Sequence, residues 1–153
     1  MKKIFSFTIL SLLFAFSNST FSFANDSISS NDSIPKKLHH ILFEKLRIKH
    51  LVKTIDDNCD ILHVDFTPSV WKLSKLGIPA IEAVIPLLSD SSDLTRMHAE
   101  RVVEGAFYKL YNGSDTGIKI IADINYRYDD PLEKREESIV KFKNWLAEVK
   151  KEK

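Results

Sequence analysis

The chain has 153 residues, 22 Lys and Arg against 21 Asp and Glu, a formal net charge of +1, and 44% hydrophobic residues. That length suits one domain, and near-neutrality argues against nucleic acid as the main partner. A single cysteine, Cys59, excludes an internal disulfide.

Residues 1–24 have the layout of a secretory signal peptide. Lys2 and Lys3 give the positive start, and Ile4 to Phe16 is an apolar run too short to serve comfortably as an anchor. Ser22 and Ala24 are small residues at a cleavage site before Asn25, and no cysteine near it marks a lipoprotein signal. Cleavage leaves 129 of the 153 residues, with 20 basic side chains (22 less Lys2 and Lys3) against 21 acidic. The expected localisation is therefore periplasmic or secreted. In an oxidising compartment Cys59 is either buried or open to an intermolecular bridge. Residues 25–33, NDSISSNDS, are poor in apolar side chains and are expected to form a flexible spacer. Asn25 and Asn31 each open an N-x-S acceptor.

From 34 to 153 the patterning predicts a single helical domain. Pro35 to about Ile55 reads as one long helix, with Leu38, Ile41, Leu42, Lys45, Ile48 and Val52 on a stripe and Leu46 and Ile55 at its margins. Its polar side carries Lys36, Lys37, Lys45, Arg47, Lys49 and Lys53 against Glu44 alone. That pattern suits either an ordinary solvated face or a patch for anionic lipid head groups or an acidic protein. DDNCDILHVDF, residues 56–66, is expected to be irregular, with a short extended run over 61–66. Asp57, Asp60, His63 and Asp65 have the chemistry of metal ligands, but no second histidine stands at ligand spacing. Cys59 and His63, four apart, allow a Cys–His pair, which would still need a third, orienting group.

Residues 68–110 read as two short helices, a tight turn and a longer helix. Thr67 is expected to cap the first, with Pro68 at its first position and Gly77 ending it in a left-handed conformation. Pro79 starts the next, with Ile81, Val84, Ile85 and Leu88 on one face, and Pro86 should kink it or end it early. SDSS, residues 89–92, is a turn in which Ser92 caps the long helix. That helix is expected to turn Ala99, Val102, Val103 and Ala106 inward and Arg96, Glu100, Arg101 and Glu104 outward. Ala99, Gly105 and Ala106 are small enough to admit a neighbouring helix closely.

Asn112-Gly113-Ser114 is a turn signal, followed by a short helix over 118–127. Asp130 is expected to cap the last helix, with Pro131 at its first position and Glu133 reaching back. Leu132, Ile139, Phe142, Leu146 and Val149 form its seam, with Trp145 at the edge. Lys150, Lys151 and Lys153 suit its C-terminus.

A shift of 40 positions superposes the two halves of this region. Ile81 falls on Ile121, Val84 on Ile124, Leu88 on Tyr128, Ala99 on Ile139, Val102 on Phe142 and Ala106 on Leu146, while Gly77 falls on Gly117. Such a period, with two helices per unit, is that of HEAT and armadillo arrays. LGIPAIEAVIPLLSDSSDLTRMHAERVVEGA resembles a HEAT-type repeat directly. The likeness rests on Gly77, Pro79, Ala80, Asp90, Asp93, Arg96, Ala99 and Gly105. It is best over 68–110 and weak over 115–150, where the Pro and small Ala are missing and Glu136 stands in place of Arg96. The resemblance implies an all-α fold, a short α-solenoid of about six helices with right-handed stacking. It also implies a protein-interaction scaffold rather than a catalyst.

The sequence contains no G-x-S-x-G, Walker loop, dinucleotide fingerprint, H-E-x-x-H or C-x-x-C. The leading expectation is an exported helical-repeat module that binds a protein partner, such as an adaptor or an inhibitor, without cofactor, metal or catalysis. Arg96, Arg101, Tyr108, Tyr111 and Tyr126 are the candidate partner contacts, since Tyr and Arg lead interface hot spots. An alternative is an envelope protein that holds anionic lipid through Lys36, Lys37, Lys45 and Lys49. A third reading is a thiol or metal enzyme built on residues 57–65.

Overall fold

A computed structural model describes residues 36–59 and 62–152. The signal peptide, the spacer with Asn25 and Asn31, Pro35, Asp60, Ile61 and Lys153 lie outside these residues. Six α-helices run α1 Lys36–Lys53, α2 Pro68–Leu73, α3 Ile78–Val84, α4 Asp93–Leu110, α5 Asp115–Ile124 and α6 Leu132–Lys151. A 3₁₀ turn, Ile85–Ser89, follows α3. The described residues contain no strand, so the extended run expected over 61–66 does not form there.

Local chemistry sets most of the boundaries. Thr67 Oγ1 accepts from Val70 N–H at 3.1 Å and donates to Ile55 O at 2.7 Å. One buried hydroxyl thus caps α2 and ties it to the end of α1. Pro86 ends α3 early, and the chain tightens into the 3₁₀ turn at Ile85. Ser92 Oγ caps α4 by accepting from Thr95 N–H, and Asp90 holds the preceding turn through Ser92 N–H at 2.8 Å. Gly77 has the expected positive φ, +65°, but it opens α3 instead of closing α2, which stops at Leu73.

Two boundaries differ from expectation. α5 starts at Asp115 and stops at Ile124, because Asn125 adopts the left-handed conformation and ends the helix. At α6 the cap position is held by Pro131, with no side-chain cap bond. Asp130 instead accepts from Lys134 Nζ at 3.0 Å, so the expected capping box is absent.

The core is built around α4. Its inward face carries Ala99, Val102, Val103, Ala106 and Phe107 against α2, α3, the 3₁₀ turn and α5. α1 closes one side on α2 and α3, and α6 closes another on α5 and the 3₁₀ turn. Gly105 admits α2 closely, since a Cβ there would stand 2.6 Å from Ser74 Cβ. The 40-residue shift pairs interior with interior: Val84 with Ile124, Ala99 with Ile139, Val102 with Phe142 and Ala106 with Leu146 are all buried. Gly77 and Gly117 do not correspond, because Gly117 lies inside α5. Leu132, expected in the α6 seam, is exposed.

Candidate functional site

The chain reverses after α4 through two positive-φ residues, Asn112 and Gly113. Gly113 N–H donates to Tyr108 O at 2.9 Å and Ser114 N–H to Tyr111 O at 2.9 Å, which brings α5 back beside α4. Between the two helices lies an apolar cleft of about 330 Å³ lined by Glu104, Phe107, Tyr108, Tyr111, Ile118 and Ile121 among others.

Two glycines shape its walls. A Cβ at Gly113 would stand 2.9 Å from the Tyr108 ring, and one at Gly117 2.7 Å from Tyr111 Cβ. Their absence lets both tyrosines lie against the start of α5. Tyr111 is further held by stacking on Phe107, at 5.9 Å between centroids, and by Trp145 Nε1–H, which donates to its hydroxyl at 3.3 Å. Tyr108 is 72% exposed and Ile118 61%. The wall is thus rigid at Tyr111 and open at Tyr108, an arrangement able to receive one apolar side chain.

The rim is acidic. Arg101 Nη1 donates to Glu104 Oε2 at 2.7 Å, and Arg101 Nε lies 3.3 Å from Asp65 Oδ2. The Glu104 hydrogen bond leads in raising the guanidinium pKa. Glu100 stands one turn back, half-buried, and accepts from Tyr128 N–H at 3.2 Å. Burial raises its carboxyl above the ordinary range, opposed by that hydrogen bond. Glu104 is thus the charged side chain of the lining, and Arg101 and Asp65 are reached through it.

Tyr108 and Tyr111 line the cleft, and Arg101 reaches it through Glu104. Arg96 and Tyr126 are elsewhere, and the expectation that Arg96 points outward is corrected: it is 7% exposed. Its guanidinium donates to Asp90 O at 2.7 Å, Ser91 O at 3.0 Å and Tyr128 O at 2.9 Å, and pairs with Asp93. Carbonyls from two loops converge on it and draw it inward. Tyr126 is buried, its hydroxyl donating to Leu88 O at 2.7 Å. Neither side chain offers surface to a partner. Lys36, Lys37, Lys45 and Lys49 are exposed on α1.

In the loop before α2, Cys59 is half-buried and its Sγ lies 4.0 Å from His98 Nε2. The histidine beside it is therefore His98 of α4, which its position on a helix face did not single out. Asp56 Oδ1 stands 2.6 Å from His98 Nδ1, giving the order of a nucleophile, a base and an orienting carboxylate. His98 Nε2, however, lies 2.7 Å from Val64 O. Val64 O, not the thiol, is therefore the nearer partner of Nε2. Asp65, proposed with His63 as a ligand, pairs with Arg101 instead. Among the described residues no group of three or more His, Cys, Asp or Glu converges to hold a metal.

No family model, curated protein or solved structure matches the chain.

Proposed function

We propose that the chain is an exported protein-docking module of HEAT-like helical hairpins, released by cleavage after Ala24. The α4–α5 cleft carries this reading. Its occupant is a partner segment presenting one apolar side chain beside a basic one. The apolar side chain enters between Tyr108 and Ile118, and the basic one meets Glu104 at the wall of the cleft. The paired interior positions 40 residues apart support the repeat reading, and stacked hairpins build surfaces of this kind. Tyr108 fits the part of an interface anchor, being large, semi-rigid and exposed.

The test is site-specific photocrosslinking of the full chain in its host. A crosslinker in place of Tyr108 should trap one protein, and Glu104→Lys should abolish the adduct. A crosslinker in place of Lys143, exposed on α6, should not give that adduct. Identical adducts from both positions, or an adduct indifferent to Glu104→Lys, would remove the cleft from the function.

A further inference from the structure

α1 exposes more apolar surface than its place in the core requires. Ile48 and Leu51 are buried, whereas Leu38, Ile41, Leu42, Phe43 and Leu46 are exposed, the last two at 66% each. On a helix of 3.6 residues per turn, Leu38, Leu42 and Leu46 follow one line, which Lys45, Lys49 and Lys53 extend toward the C-terminus. Phe43 stands about 100° round from Leu42. Apolar and basic side chains therefore share one broad face, with Lys36 and Arg47 at its edge beside Phe43, Lys37 on the opposite side, and Glu44 the only acid of the helix.

Charge decides what covers that face. A second copy would bring two strongly basic faces together, and like charges oppose such pairing. A groove in another protein takes a narrow stripe at i, i+3, i+4 and i+7, whereas this apolar surface is wide and interleaved with lysines. An anionic bilayer suits both properties: head groups take the cations, and the acyl boundary takes Leu and Phe. Among the described residues no helix is long and apolar enough to cross a membrane. α1 would lie in the interface plane.

We propose that α1 docks the protein on an anionic bilayer surface, seating Leu38, Leu42, Phe43 and Leu46 among head groups held by Lys36, Lys45, Lys49 and Lys53. The α4–α5 cleft plays no part in this contact.

The experiment is co-sedimentation of the full chain with vesicles of phosphatidylcholine alone and of phosphatidylcholine mixed with phosphatidylglycerol. Residues 1–24 carry Lys2 and Lys3 beside their apolar run and add to binding on either vesicle, so the α1 variants decide the test. Binding to the anionic vesicles should be tighter and should weaken with salt. Each Lys→Gln change among the four should cost roughly fivefold. Leu42→Ser with Phe43→Ser should cost at least roughly tenfold at unchanged charge. These residues are exposed, so melting temperatures should hold. Glu104→Lys should leave vesicle binding intact. Equal binding to both vesicle types, or indifference to the lysine and Leu42/Phe43 variants, overturns the proposal. So does self-association that Leu42→Ser with Phe43→Ser abolishes without any phosphatidylglycerol preference, since a second copy would then cover the face.

Discussion

His98 Nδ1 lies 2.6 Å from Asp56 Oδ1, across 42 positions of chain. Asp56 Oδ2 also accepts from Thr95 Oγ1 at 2.6 Å, and His98 Nε2 meets Val64 O at 2.7 Å. His98 has no exposed surface. Both ends of the loop between α1 and α2 are therefore tied to α4 through one imidazole. His98→Ala removes a fully buried ring and both of its contacts, to Asp56 Oδ1 and Val64 O, and should cost about 3 kcal/mol. Asp56→Asn keeps the shape and loses the charge, and should cost about 1–2 kcal/mol. Urea unfolding of both variants tests this. Equal, near-zero costs would mean that the loop holds without the latch.

Arg96 should behave as a structural strut. Arg96→Ala strands the carbonyls of Asp90, Ser91 and Tyr128, and should cost about 2–4 kcal/mol. Arg96→Lys retains the charge but offers three donors from one point in place of a planar fork. It should recover less than half of that loss in denaturant midpoint. A loss under about 0.5 kcal/mol for Arg96→Ala, the usual size of a surface change, would contradict the burial.

The parts legible in the sequence are those whose cause is local. Thr67 and Ser92 cap because a hydroxyl reaches its own helix, and Pro86 ends α3 because it lacks a donor. The interior positions of α4 and α6 follow helical spacing. What escaped had distant causes. Arg96 turns inward for Tyr128 O, 32 positions away, and Tyr126 for Leu88 O, 38 positions away. Asp130 looked like a cap, but the backbone enters α6 one residue later. The cleft was half visible: Tyr108 and Tyr111 stood out as aromatics, whereas Gly113 read as turn chemistry and Gly117 as an echo of Gly77.

Glu100 should impose a pH dependence on stability. Desolvation raises its carboxyl above the ordinary 4.5, the Tyr128 N–H bond lowers it, and Glu104 raises it again. A carboxyl held high in the folded chain binds its proton more tightly there than in the unfolded chain. Its contribution therefore favours folding below pH 4.5 and is lost as pH rises through the raised value. Glu100→Gln keeps an acceptor for Tyr128 N–H and carries no charge. The variant should melt higher than the parent at pH 7, with the gap closing as pH falls below 4.5. A gap that stays constant with pH would assign it to packing.

Tyr126 gives the alkaline counterpart. Burial pushes its phenol up to about 12 from an ordinary 10.0. The unfolded chain then ionises first, so this contribution is present below pH 10 and lost as pH climbs toward 12. Tyr126→Phe loses the hydroxyl bond to Leu88 O and should cost about 1 kcal/mol at neutral pH. Its deficit should narrow above pH 10, where the parent loses the phenol's contribution. Thermal melts at pH 8 and pH 11 read the difference.

Gly117→Ala sets two effects of similar size against each other. Alanine favours an α-helix over glycine by about 1 kcal/mol. The added Cβ would stand 2.7 Å from Tyr111 Cβ, too close to persist. Tyr111 Cβ is fixed to backbone at the end of α4, so relief requires α5 to move away or the ring to leave its stack on Phe107. Crowding of that kind costs about 1–3 kcal/mol. Stability should therefore fall by about 0–2 kcal/mol, a small change. The larger effect should be on the cleft, because Tyr111 carries the hydrogen bond from Trp145 and forms the rigid wall. Crosslinking from position 108 should drop several-fold in Gly117→Ala while the fold persists. Tyr111→Phe, which keeps the ring and loses only that bond, should fall less. A Gly117→Ala chain that gains the full helix propensity and crosslinks normally would show that α5 has room to spare, and that the glycine does not seat the ring.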